Sequence, residues 1–256
     1  MDISHKILHT YHALCIRASF LLCMLVLAQN ATLSQPSYTS TWKTDGILLG
    51  TGLATILTSS VLDKSPTPLT IEELERLSRS SVNRIDRSAT YLYSASLAGW
   101  SDVAVGLSVI SPAGLFLLRD VRLSAGTFSL MYLETILLST FIPQLCKRSV
   151  ERYRPYAYNP AVPLSVRTNP DSRRSFFSGH TTSAFASALF LSTVYSNSSS
   201  SSKWKSCVWV GSLLSASVVS YLRYASGAHF PTDILAAAFV GVTIGYLVPA
   251  LHRSSM

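Results

Sequence analysis

Three short groups of residues decide how this sequence is interpreted: KRSVERYRP at 147–155, FSGH at 177–180 and RYASGAHFPTD at 223–233. They follow the patterns Lys-x6-Arg-Pro, Ser-Gly-His and Arg-x5-His-x3-Asp, in a chain that is otherwise mostly apolar. These patterns supply three cations, two histidines and one carboxylate. Such a set of side chains is suited to a bound phosphate group.

The cations and the glycine explain how a phosphate would be held. Arg154 and Arg223 offer planar forks that match phosphate oxygens, and Lys147 adds a compact charge. Ser178-Gly179-His180 comes directly before the apolar run 181–195, which predicts a helix. Backbone N–H groups at a helix N-terminus bind anions, and Gly179 permits a close approach.

The histidines can perform the chemistry. His229 and Asp233 are four residues apart, so a helical segment would place both side chains on one face. A carboxylate there can fix the tautomer of the imidazole and leave its other nitrogen free. A histidine oriented in this way can attack phosphorus while a second one, His180, protonates the leaving oxygen.

The three groups resemble the signature motifs of the type 2 phosphatidic acid phosphatase and vanadium haloperoxidase superfamily: KxxxxxxRP, PSGH and SRxxxxxHxxxD. Order and internal spacing agree with that family from Lys147 to Asp233. Two positions depart, because Phe177 stands where the family has Pro and Leu222 where it has Ser. The resemblance implies an all-α, acid phosphatase/vanadium haloperoxidase-like core.

The resemblance also implies a role for each motif residue. His229 would be the nucleophile that forms a phosphohistidine, Asp233 would orient it, and His180 would be the general acid and then the base for water. The phosphoryl oxygens would be held by Lys147, Arg154, Ser178, Gly179 and Arg223. No metal or other cofactor is expected, and the sequence has no His-x-Glu or Cys-x-x-Cys pair.

The composition indicates a polytopic membrane helix bundle. Only 13% of the 256 residues are charged, against about a quarter in soluble domains. Six apolar runs predict about six transmembrane helices: 47–62 (short for a span), 103–118 with a kink at Pro112, 125–145, 176–195, 204–222 and 233–251. The formal net charge of +8 is dispersed, which suits an anionic substrate and membrane topology rather than nucleic acid. The four cysteines show no motif spacing, so we expect buried thiols.

The chain divides into three parts. Residues 1–28 are expected to be a signal peptide or an N-terminal anchor, residues 29–45 a linker, and residues 46–253 a membrane-embedded phosphatase domain. Thr70-x-x-Glu73 is a capping-box pattern and predicts a short amphipathic surface helix with Ile71, Leu74 and Leu77 on one side.

Other polar residues are assigned less specific roles. Arg84, Asp86 and Arg87 are interpreted as a solvated face rather than as contacts to a substrate headgroup. Glu134 lies inside an apolar run, as either a functional carboxylate or a buried structural partner. No role is assigned to His5, His9, His12 and His252.

Short basic loops indicate the topology. Arg119, Arg122, Lys203, Lys205 and Arg253 would be cytoplasmic by the positive-inside rule, so the three motifs would face the periplasm or exterior of a bacterial inner membrane. Six spans would then place Lys43 inside, whereas a cleaved signal peptide would leave residue 29 outside. The two expectations conflict.

The favoured function is hydrolysis of a membrane lipid phosphate or pyrophosphate, with membrane lipids as surroundings and no nucleic-acid partner. Lipid A 1-phosphate is favoured as substrate, followed by undecaprenyl pyrophosphate, phosphatidylglycerophosphate and phosphatidic acid. The alternatives are a vanadate-dependent haloperoxidase, a broad-specificity acid phosphatase, and a non-enzymatic lipid-binding or transport protein. The sequence does not indicate an oligomeric state.

Overall fold

The computed structural model describes residues 38–62, 67–198 and 202–254, and within these ranges every regular element is helical. The α-helices, in chain order, are α1 Trp42–Val61, α2 Ile71–Arg76, α3 Ala95–Ile110, α4 Arg119–Leu123, α5 Ala125–Val150, α6 Leu164–Arg167, α7 Gly179–Ser198, α8 Ser202–Ala225 and α9 Pro231–Leu251. Short 3₁₀ turns connect them at Arg79–Ser81, Arg87–Tyr91, Ser111–Leu117, Pro155–Tyr158 and Pro170–Arg173. The predicted all-α bundle is confirmed.

The six apolar runs correspond to the six long helices, α1, α3, α5, α7, α8 and α9. Among the described residues, four segments are long and apolar enough to cross a membrane: Ala95–Leu117, Ala125–Tyr158, Lys203–Ala225 and Pro231–Leu251. At Pro112 the first of them changes from α to 3₁₀ geometry, because proline cannot donate the next backbone hydrogen bond. Their outward side chains remain apolar, as at Val210, Leu214 and Val218 of α8, each more than half exposed. The protein is a multi-pass membrane protein.

Helix α7 lies at the centre and packs against α9, α8, α5 and α3. Small residues allow α9 to approach it closely. A Cβ added at Gly241 would lie 2.5 Å from the carbonyl oxygen of Thr182, and one at Gly245 would lie 2.2 Å from that of Ala186. The two helices therefore run parallel with their backbones almost in contact.

Side-chain contacts fix the direction of the other long helices. Ser212 of α8 contacts Ser192, and Ser220 contacts Thr181, so α8 is antiparallel to α7. Lys147 of α5 lies near Gly179. One end of the bundle, the site end, thus contains the C-termini of α5 and α8 and the N-termini of α7 and α9. The opposite end is called the far end.

Helix α1 runs beside α5. Arg148 Nη1 donates to Ser59 Oγ at 2.6 Å near the site end, and Asp45 contacts His252 at 2.8 Å toward the far end. Lys43 therefore lies toward the same end as Arg253. The helix begins at Trp42, inside the segment expected to be a linker up to residue 45. The expected leader at 1–28 and the linker up to residue 37 lie outside the described residues.

Candidate active site

The three sequence motifs converge at the site end. Lys147 lies in the last turn of α5, Arg223 in the last turn of α8, and His229 in the loop that leads into α9. The Nζ atom of Lys147 lies 3.9 Å from the position that a Cβ on Gly179 would occupy. The first cation therefore lies beside the N-terminus of α7, as expected for an anion site.

His229 is completely buried, and its tautomer is defined by the backbone. Its Nδ1 lies 2.7 Å from the carbonyl oxygen of Ser175. Because a carbonyl can only accept, Nδ1 carries the proton and Nε2 keeps its lone pair. That Nε2 is buried and has no hydrogen-bond partner among the described residues.

The surroundings of His229 keep it neutral. Burial is the largest cause that lowers its pKa well below the ordinary value, and the positive charges of Arg154, Arg223 and Lys147 lower it further. All three motif cations therefore act on this one imidazole. An imidazole that is neutral at neutral pH, with an unoccupied Nε2, is a competent nucleophile.

Asp233 does not orient the imidazole directly, which corrects the expectation from the sequence. Its Oδ2 is 3.8 Å from His229 Nδ1. The carboxylate instead accepts from Ser175 Oγ at 2.5 Å, from the backbone N–H of Phe230 at 2.9 Å, and from Arg152. In the first turn of α9 the nearest donors are the N–H groups at the helix start, and these occupy the carboxylate. Asp233 thus supports the loop on both sides of His229.

Hydrogen bonds to other protein groups hold the two motif arginines, Arg154 and Arg223. Arg154 is 5% exposed and donates to the backbone oxygen of Asp171 at 3.0 Å, to its Oδ2 at 2.5 Å and to the Ala228 oxygen at 3.3 Å. Arg223 is 8% exposed and donates from Nη1 to Ser101 Oγ at 3.1 Å. Its buried Nε has no hydrogen-bond partner in the described part of the chain. The guanidinium groups are held in place with donor capacity left for an anion.

His180 is paired with a residue that the motifs do not include. Its Nε2 lies 2.7 Å from Oδ1 of Asp102 on α3, and the same oxygen is 3.8 Å from Arg223 Nη1. The Asp102 side chain is 64% exposed. Asp102 therefore contacts His180, the expected general acid, and lies near Arg223, an expected phosphate-binding cation.

A family model described as PAP2 superfamily matches residues 128–256, which is half of the chain. The chain belongs to the PAP2 superfamily.

A solved structure described as the first transmembrane PAP2 type phosphatidylglycerolphosphate phosphatase from Bacillus subtilis is similar to this PAP2 chain. The two are 19% identical, the TM-score is 0.49, and the match covers 82% of this chain and 96% of that chain. No curated protein matches the chain significantly. Family membership and the membrane-spanning helices make the protein a membrane-embedded phosphatase of the PAP2 superfamily.

Ser178 has a structural task in this PAP2 site. It is fully buried, its carbonyl accepts from the N–H of Thr182 at 3.0 Å, and its Oγ accepts from the N–H of Thr181 at 3.3 Å. The hydroxyl therefore caps the start of α7. Phe177, at the position of the family's proline, is 4% exposed and packs inward.

Asp86 was expected on a solvated face and is instead fully buried, a second correction. It accepts from Arg152 Nη2 at 2.7 Å, from the N–H of Thr232 at 3.0 Å and from Asn83 at 2.7 Å. Burial alone would raise the pKa of Asp86, but hydrogen bonds from Thr232, Arg152 and Asn83 outweigh it and lower the pKa. Arg152 bridges Asp86 to Asp233, so this pair supports the His229 loop from outside.

The predicted capping box of α2 is confirmed, since Thr70 N donates to Glu73 Oε2 at 2.8 Å and Glu73 N donates to Thr70 Oγ1 at 3.1 Å. Glu73 also accepts from Arg173 Nη2 at 2.6 and 2.7 Å, and hydrogen bonding to Arg173 is the largest cause that lowers its pKa. Leu74 is buried, whereas Ile71 is 60% exposed. Helix α2 is therefore fastened to the loop that precedes α7.

Sequence patterns missed Asp102, Arg152 and Ser175. A usable signal existed for Asp102, which immediately precedes the apolar run 103–118. Arg152 occupies a variable position of the first motif, and Ser175, which contributes its backbone oxygen to His229 and its hydroxyl to Asp233, lies outside all three motifs. Backbone contributions have no residue signature.

Proposed function

We propose that this PAP2 protein hydrolyses the phosphate or pyrophosphate headgroup of a membrane lipid through a phosphohistidine on His229. The observation that supports this proposal is the buried, unprotonated Nε2 of His229 among Lys147, Arg154 and Arg223. An unpartnered buried nitrogen is costly unless a ligand or substrate engages it. The cations attract a phosphoryl group to that atom.

In the first step, Nε2 of His229 attacks phosphorus, a P–N bond forms, and the bond from phosphorus to the leaving oxygen breaks. His180 donates a proton to that oxygen. In the second step His180 accepts a proton from water, the water oxygen attacks phosphorus, and the P–N bond breaks to release inorganic phosphate. The arginines, Lys147 and the N–H groups at Gly179 stabilise the charge on the equatorial oxygens in both steps.

This mechanism is metal-independent because guanidinium and ammonium groups supply the positive charge that metal ions supply in other phosphatases. We accordingly expect turnover to continue in EDTA. Vanadate, which adopts the geometry of the transferring phosphoryl group, is expected to inhibit.

Lipid A 1-phosphate remains the favoured substrate, followed by undecaprenyl pyrophosphate, phosphatidylglycerophosphate and phosphatidic acid. Two features support a lipid: the membrane-spanning helices around the site, and α2, which is joined to the motif loop by Glu73 and Arg173. The exposed Ile71 of α2 offers an apolar contact near the headgroup site.

We place the protein in a bacterial inner membrane with the site facing the periplasm. Lys43, Arg119, Arg122, Lys205 and Arg253 all lie toward the far end, which supports a cytoplasmic far end. Single cysteines at Leu164 and at Arg119, in a variant without native cysteines, test this orientation. A membrane-impermeant thiol reagent should label position 164 in intact cells and position 119 only after permeabilisation.

The decisive assay measures phosphate release by detergent-purified protein in EDTA. The substrates are lipid A, undecaprenyl pyrophosphate, phosphatidylglycerophosphate, phosphatidic acid and a soluble aryl phosphate. Arg223→Ala should abolish release, whereas the matched variant Arg84→Ala, at an exposed arginine, should retain it. Release from the aryl phosphate alone would indicate a broad acid phosphatase, and no release from any substrate would favour a binding or transport protein.

A further inference from the structure

A second cluster of ionisable groups lies away from the phosphate site. Asp45 is in the first turn of α1, Glu134 is inside α5, and His252 directly follows α9. All three are buried, and one ligand-capable atom from each lies within 4.8 Å of the others. The three residues are far apart in the sequence, so no local motif indicates that they form a cluster.

The histidine is oriented as a ligand. His252 Nδ1 lies 2.9 Å from the carbonyl oxygen of Val248, so Nδ1 is the donor. Its Nε2 faces two carboxylates, Asp45 Oδ1 at 2.8 Å and Glu134 Oε2 at 3.4 Å. In metal sites the ligating histidine usually donates its other ring N–H to a carbonyl or carboxylate, as Nδ1 of His252 does here to Val248.

Glu134 gives the independent indication of a ligand. It is fully buried, and neither of its carboxylate oxygens has a hydrogen-bond partner among the residues that the structure describes. A buried carboxylate that accepts no hydrogen bond is costly, and a second carboxylate nearby adds repulsion. A positive charge placed between Glu134, Asp45 and His252 would remove both penalties.

We propose that Asp45, Glu134 and His252 bind a divalent transition-metal ion of the Zn²⁺ or Mn²⁺ type. Two carboxylates carry two negative charges, which one divalent ion balances. An imidazole ligand favours these ions over Mg²⁺ and Ca²⁺, which prefer oxygen ligands alone. Bonds of about 2.0–2.2 Å would require only a small inward movement of the carboxylates.

The supporting contacts fit this assignment. Ser40 donates to Asp45 Oδ2, which leaves Oδ1 directed at His252. Val248 fixes the ring of His252. The ion would fasten α1 to α5 and α9, and it takes no part in phosphoryl transfer. Its role is structural, and it stands independently of the proposed hydrolysis.

The experiment uses the full chain, purified in mild detergent, stripped with a chelator and dialysed. Zn²⁺, Mn²⁺ and Mg²⁺ are added separately, and bound metal per chain and Tm are measured. Wild-type protein should bind one Zn²⁺ or Mn²⁺ per chain, with a rise in Tm of about 5 °C at saturating metal. Mg²⁺ should have little effect. Chelation should lower Tm without lowering phosphate release at 25 °C.

Variants locate the ion. Glu134→Gln, and His252→Gln as a second variant in case the first does not fold, should lose the bound metal and the metal-dependent rise in Tm. Glu75→Gln, the same change at an exposed glutamate, and His229→Ala in the phosphate site should keep both. Retention of metal by Glu134→Gln, its loss in His229→Ala, or no binding of Zn²⁺ or Mn²⁺ by the wild type would overturn the proposal. The last result would mean that the three side chains share protons.

Discussion

The reactive nitrogen of His229 owes its tautomer to the peptide oxygen of Ser175 rather than to a carboxylate. Asp233 acts one step further away, through the hydroxyl of Ser175 and the N–H of Phe230. At the scale of single residues, the proposed nucleophile His229 and the residue that supports its loop, Asp233, therefore have distinct roles. Substitutions at the two positions should differ in severity.

His229→Ala should lower kcat by about 10⁴-fold or more, because the variant has no atom that can accept the phosphoryl group. Asp233→Asn should lower kcat by about 10²-fold, because the backbone contact to His229 remains while the loop loses its charge pairing with Arg152. Steady-state phosphate release measures both, with Tm as the control for folding. Equal losses would mean that Asp233 is essential for nucleophilic attack.

Asp102→Asn should shift the pH profile. Burial and the charge of Arg223 lower the pKa of His180 to about 4, and the carboxylate of Asp102, 2.7 Å from the imidazole, opposes this shift. The protonated imidazole is the form that donates to the leaving group. Without that charge, His180 loses its proton at a lower pH, so the alkaline decline of kcat should move to lower pH and kcat at pH 7 should fall by about 10-fold. A kcat profile of Asp102→Asn that coincides with that of the wild type would show that His180 does not depend on Asp102.

At the scale of helices, the contact between α7 and α9 depends on glycine. Gly245→Ala would push a Cβ into the Ala186 carbonyl and should destabilise the protein by about 2 kcal/mol. Gly211→Ala on α8 is the matched control, because a Cβ there meets nothing within 4 Å and should be neutral or stabilising. Thermal unfolding in detergent compares the two. A Gly245→Ala variant as stable as Gly211→Ala would contradict close packing of α9 against α7.

Helices were largely predictable from the sequence, whereas contacts between them were not. Apolar runs mark α1, α3, α5, α7, α8 and α9, and Thr70 with Glu73 marks the start of α2, because these signals are local. The pairs Glu73–Arg173 and Asp86–Arg152 join residues far apart in the chain. No spacing rule connects such positions. His252 was assigned no role because it lies near the C-terminus, yet it is buried beside Asp45.

At the scale of the whole molecule, acidic residues in the described part of the first half pair with basic groups of the second half. Each contact joins a different pair of regions, and the pairs are Glu73–Arg173, Asp86–Arg152, Asp102–His180 and Asp45–His252. The matched family region begins at residue 128. The half that lacks the motifs therefore supplies part of the counter-charge for the half that contains them, in addition to Asp171 and Asp233 of the second half itself.

Asp86→Asn tests this dependence. Removing one member of a buried ion pair should destabilise the protein by about 3 kcal/mol and also lower kcat through Arg152 and Asp233. Because the pKa of Asp86 is lowered on folding, its stabilising contribution is present above its unfolded pKa and is lost as pH falls through the folded pKa. The Tm difference between wild type and variant should thus shrink below about pH 4. A difference that grows on acidification would contradict the assignment.

The ion pairs between the two halves of the chain constrain how such a protein can change by recombination. Exchanging residues 128–256 with those of a distant relative would transfer every group that handles phosphate. It would also leave Glu73, Asp86, Asp102 and Asp45 facing whatever the donor carries at positions 173, 152, 180 and 252. Viable hybrids should therefore inherit both members of each acid–base pair from the same parent. Positions 45, 73, 86 and 102 would have to be exchanged together with residues 128–256.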